Sequence, residues 1–129
     1  VDVVRTFLGT PGNDPSMIQI VAHSNGNPTA KYFLDLMAKG KPDFKVGSVV
    51  LVAPNVANTS TVESIFSRSD SNILMQSNRD FALRLARILT GASERIGAFQ
   101  REVKSPAKFI QTKQRGHGIQ SYRKAHCGY

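Results

Sequence analysis

The sequence predicts an α/β domain: a parallel sheet with flanking helices. Three observations carry that prediction. Short apolar runs rich in β-branched residues recur along the chain: MIQIVA at 17–22, VGSVVLVA at 46–53 and NILMQ at 72–76. Segments with apolar residues at helical spacing separate them. Clusters of Gly, Pro, Asn and Ser punctuate the joins. Strands that alternate with helices imply crossovers and a parallel sheet. Ligands of such sheets bind beyond the carboxyl ends of the strands.

Residues 3–8 (VVRTFL) are apolar-rich and read as the end of a helix, and residues 9–16 (GTPGNDPS) as a turn-rich loop. The run at 17–22 is too short for a helix, and its Ile and Val favour a buried strand. Residues 25–39 read as a helix whose inner face is Ala30, Phe33, Leu34 and Met37. Pro28 falls in its first turn, where a missing N–H costs little, and Gly40 ends it. Residues 46–53 form a second buried-type strand closed by Pro54, residues 61–67 a short helix, and residues 72–76 a third strand. Residues 80–90 (DFALRLARILT) are strongly amphipathic, with Phe81, Leu85, Ile88 and Leu89 on one face and Arg84 and Arg87 turned away; Gly91 stops this helix. A last strand is expected within 105–112, centred on 109–111, and a short final helix over 118–124. The predicted order is β-α-β-α-β-α-β-α.

The 129 residues fit one domain, and 40% hydrophobic with 20% charged residues excludes a disordered chain. No apolar run approaches the roughly 20 residues that span a bilayer. The N-terminal VDVVR lacks a basic segment followed by an apolar core, so a soluble protein without a signal peptide in this chain is expected, its compartment open. Cys127 is the single cysteine, which rules out an internal disulfide. The net charge of +8 raises nucleic acid or an anionic surface as partners. The densest basic stretch holds Lys104, Lys108, Lys113, Arg115, Arg123 and Lys124, with only Phe109 and Tyr122 as aromatics. That favours a solvated basic face over a base-stacking surface. No cofactor motif is legible, and three His without paired acidic ligand spacing give a metal site no support.

The chemistry lies after the first strand. Ala22-His23-Ser24-Asn25-Gly26 joins strand to helix and follows the pattern G-x-S-x-G, with Ala in the first place. A sharp turn there lifts the Ser24 hydroxyl above the sheet. Small residues two before and two after let strand and helix approach. The helix N-terminus favours a developing oxyanion, with the Asn25 backbone N–H as one donor. A serine nucleophile needs a base and an orienting acid, which follow in the order Ser, Asp or Glu, His. Asp80 follows the third strand and His117 the last, between Gly116 and Gly118. Each has a plainer reading: Ser24 or Asp80 as a helix N-cap, His117 as a surface loop residue. His126 is the rival base, placed after the last helix. His23 points to a different side of the turn and reads as a packing or hydrogen-bonding residue.

These residues resemble a bacterial family of uncharacterised α/β-hydrolases with an A-H-S-M-G-N nucleophile elbow, which IVAHSNGNPTAKYFL matches at residues 20–34. VGSVVLVAPNV is similar to the family's strand ending in A-P-D. ILMQSNRDFALRLARILTGASERIG is similar to its S-x-x-D-x-A-L segment, and Gly116-His117 to its late G-H. The resemblance covers roughly residues 17–125. It implies Ser24 as nucleophile, Asp80 as acid and His117 as base, hence a serine hydrolase of carboxylic esters, esterase- or lipase-like, working through an acyl-enzyme on a small-molecule ester or lipid. Asn25 stands where Met is commoner, and Asn55 replaces an Asp after Pro54. The resemblance also implies further strands before the elbow, where only a lead-in at 1–16 stands here. The chain therefore reads as a partial α/β-hydrolase-like domain over 1–129. Three origins are open: a fragment of a larger hydrolase, a piece completed by a second chain, or a shortened non-catalytic relative acting as an assembly subunit.

Overall fold

Among the described residues four parallel strands carry the structure, in sequential order across one sheet: β1 (Gln19–His23), β2 (Val46–Val52), β3 (Ser69–Ser77) and β4 (Lys108–Gln114). The structure is a computed structural model, which describes residues 2–56, 58–77, 88, 103–105 and 108–114. The described helices are α1 (Asp2–Gly9), α2 (Gly26–Gly40) and α3 (Thr59–Phe66), with a 3-10 turn at Pro15–Met17. Parallel neighbours cannot be joined by a tight hairpin, so each needs a crossover. α2 supplies the one from β1 to β2, and α3 the one from β2 to β3.

The pleat sorts the side chains. Ala22, Leu51 and Leu74 are register partners across β1, β2 and β3, and all three are buried. Ala30 and Leu34 of α2 and Val62, Ile65 and Phe66 of α3 join them in one core, closed at its edges by Phe44, Val56 and Val103. Phe33 meets Phe44 edge to face at 6.4 Å. The opposite face carries the row Val21, Val50, Ile73 and Ile110, again partners across all four strands. Its outer members, Val21 and Ile110, are 72% and 51% exposed. Among the described residues β1 is an edge strand.

Several element bounds differ from the sequence reading. Residues 17 and 18 do not join β1: Met17 ends the 3-10 turn and is exposed. The reason lies across the sheet. Gly47 N–H donates to Ile18 C=O at 3.0 Å, and a Cβ at Gly47 would sit 1.9 Å from the Ser16 carbonyl oxygen. The turn is pressed onto the start of β2, which only glycine permits. β3 begins earlier and ends later than expected, because Ser69 continues the ladder opposite Val46. α3 starts at Thr59, where the Asn58 side chain accepts from Thr61 N–H at 3.0 Å and caps it. β4 runs Lys108–Gln114, so Ser105 precedes it; its hydroxyl accepts from Asn72 Nδ2 at 2.9 Å. Ile88, expected on the apolar face of the 80–90 helix, is helical and 75% exposed. The remainder of the predicted 80–90 helix and the whole of the 118–124 helix lie outside the described residues.

Candidate active site

β1 ends at His23, and the next residue turns the chain into α2. Ser24 makes that turn with φ +50°, in the left-handed region. A non-glycine residue held there costs of order 1–3 kcal/mol and persists only where its surroundings over-determine it. Here they do. Ser24 N–H continues the sheet ladder by donating to Val52 C=O at 2.9 Å. Ser24 C=O accepts from Asn27 N–H at 3.2 Å, from Asn55 N–H at 3.3 Å and from Asn27 Nδ2 at 2.6 Å. Ser24 itself is half-buried, between exposed His23 and exposed Asn25. The helix N-cap is Asn25, whose side chain makes no capping bond, so Ser24 is not the cap of α2.

The flanking small residues do what the turn needs. A Cβ on Gly26 would lie 3.9 Å from the Ala22 Cβ, ordinary contact. Strand and helix therefore approach through Ala22, and position 26 has room for a methyl group.

The register His23 to Val52 sets the ends of β1 and β2 level. Residues just past Val52 therefore arrive beside Ser24. Ala53 repeats the turn geometry, with φ +43° and its N–H donating to Met75 C=O at 2.9 Å. Pro54 is buried, and Asn55 then reaches back to the Ser24 turn through its backbone N–H and through Nδ2, which donates to Asn25 Oδ1. Beneath the turn, Asn27 is fully buried. Sequence reasoning does not single out Asn27 and marks Asn55 only as a departure from the A-P-D pattern. The signal for Asn55 was its place after the second strand, which a parallel register carries to the neighbouring elbow. For Asn27 it was a polar residue on a helix turn that packs toward the strand.

Ser24 and the Asn25 backbone are thus placed at the carboxyl end of the sheet. Asp80 and His117 lie outside the described residues, as do the rival His126 and the basic residues Arg115, Arg123 and Lys124. Lys104 and Lys108 are exposed. No helix among the described residues is long and apolar enough to cross a membrane.

A parallel sheet with its helices in crossover, and a left-handed serine between strand and helix at the sheet's carboxyl end, are consistent with the α/β-hydrolase class. The sequence matches the family described as "Alpha/beta hydrolase of unknown function (DUF900)" over residues 5–122, and the chain belongs to that family. No curated protein and no solved structure matches it.

Proposed function

We propose that this hydrolase cleaves carboxylic esters through an acyl-enzyme, with Ser24 as nucleophile, His117 as general base and Asp80 as the acid that orients it. The observation that carries the reading is the backbone of Ser24: a strained left-handed serine at a strand-to-helix turn, held by four hydrogen bonds to its own peptide groups. A left-handed residue between strand and helix is the backbone that lifts a serine hydroxyl above a sheet, and Ala53, which shares the backbone, carries no nucleophile. In the reaction, Ser24 Oγ bonds to the ester carbonyl carbon while its proton passes to His117. The carbonyl oxygen becomes an oxyanion at the start of α2, with Asn25 N–H as donor. Collapse expels the alcohol, which takes the proton from His117. Water then adds to the acyl-enzyme by the same route and releases the acid.

The decisive experiment is labelling with a fluorophosphonate probe. Modification mapped to Ser24 and abolished in Ser24→Ala is the expected result. An unlabelled parent protein, or labelling that persists in Ser24→Ala, would end the proposal.

A further strand beside β1, from a second chain or from a segment of the same protein, belongs to this reading. A groove of about 550 Å³ runs along the outer edge of β1 beneath α2, lined by Ile20, Ala22, Thr29, Ala30 and Phe33. Among the described residues β1 has a strand on one side alone, and an edge strand beside an apolar wall is a seat for an added strand.

A further inference from the structure

We infer that Asn27 is a positioning residue that aims the oxyanion donor of the site, a role that rests on Ser24 being the nucleophile. Asn27 is fully buried, in the first turn of α2. Its Nδ2 donates to Ser24 C=O at 2.6 Å and reaches Val52 C=O at 3.5 Å, so one amide joins the ends of two strands to the helix that follows.

Neither carbonyl needs that donor for its own satisfaction. Ser24 C=O already receives the N–H groups of Asn27 and Asn55, and Val52 C=O receives Ser24 N–H. Meanwhile Asn27 Oδ1 is buried with no hydrogen-bond partner among the described residues. A buried amide that bonds carbonyls already satisfied, with one of its own atoms unpaired among the described residues, calls for an explanation.

Peptide geometry supplies the explanation. Ser24 C=O and Asn25 N–H belong to one planar trans peptide, so they point in opposite directions. Drawing the carbonyl down toward Asn27 turns the Asn25 N–H up, toward the space above Ser24 where an oxyanion would form. Hydrogen bonds to the carbonyl also polarise that peptide and strengthen its N–H as a donor. The Asn27 side chain is therefore a lever on the Ser24–Asn25 peptide, acting from below without touching substrate.

A pair of isosteric variants tests this in the intact protein. Asn27→Thr keeps a hydroxyl that can donate to Ser24 C=O; Asn27→Val has the same shape and no donor. Packing losses are shared by the two, so urea midpoints should differ by no more than a single hydrogen bond accounts for, while fluorophosphonate labelling rates diverge. Labelling of the Val variant is expected to be slower than that of the Thr variant by about 10-fold or more, a part of what losing a whole oxyanion donor costs. Equal rates in Thr and Val would overturn the role of Asn27 and leave Ser24 as nucleophile. An unlabelled parent would instead overturn the nucleophile itself. Should Asn27→Val not fold, Asn27→Asp takes its place, because a protonated carboxyl donates and a carboxylate does not. Its labelling rate relative to the parent should then rise as the pH falls from about 8 to about 5; a flat ratio would overturn the proposal.

Discussion

The left-handed backbone of Ser24 is a measurable cost. Its φ of +50° suits glycine, and serine occupies it only because four hydrogen bonds to its peptide groups hold it there. Two substitutions that both remove the hydroxyl should therefore differ in stability. Ser24→Gly is expected to be more stable than Ser24→Ala by about 0.5–1 kcal/mol, the relief of the left-handed strain less the extra chain entropy of glycine. Urea denaturation of the two variants measures the difference. A Gly variant less stable than the Ala variant would mean that the turn holds no strain. Neither variant should label, so this measurement is independent of the catalytic test.

At the scale of elements, the turn at Pro15–Met17 is fixed by its seat on β2, not by its own sequence. Asp14 caps it, accepting from Ser16 N–H at 2.7 Å and from the Ser16 hydroxyl, and those bonds hold the Asp14 carboxyl below its usual range. The contact that decides its position is at Gly47, where any Cβ would collide with the Ser16 carbonyl. Gly47→Ala should cost about 1–3 kcal/mol, as for an overpacked site whose backbone must give way. Gly40, at the end of α2, has open space where a Cβ would go and is the matched control; Gly40→Ala should leave stability unchanged or slightly raised. Comparable losses at the two positions would show that the turn is not clamped by Gly47.

Across the whole molecule, the triad is a proposal about topology. The strands lie parallel in the order β1, β2, β3, β4, so their carboxyl ends share one edge of the sheet. Ser24 follows β1, Asp80 comes soon after β3, and His117 soon after β4. Loss of a triad member lowers the rate by something on the order of 10⁴-fold. His117→Ala should accordingly label at a small fraction of the parent rate, whereas His126→Ala should label as the parent does. The reverse pattern would transfer the role of base to His126, and two silent variants would remove histidine from the mechanism.

The sequence by itself determined the local pieces. Apolar period and β-branched content marked β1, β2 and β3, and helical spacing marked α2, because each depends on neighbours along the chain. It also placed Ser24 at a strand-to-helix join, since a short strand, small flanking residues and a helix start are all local signals. The tertiary structure decided what stands around that serine. Asn55 reaches the Ser24 turn only because the parallel register levels the ends of β1 and β2. Asn27 became notable only when its amide was found bridging two strand ends. Met17 and Ile18 carry strand-like side chains yet stay out of β1, because a close approach between Ser16 and Gly47 sets the chain's course there. Contacts of this kind join residues far apart in sequence, and no local pattern records them.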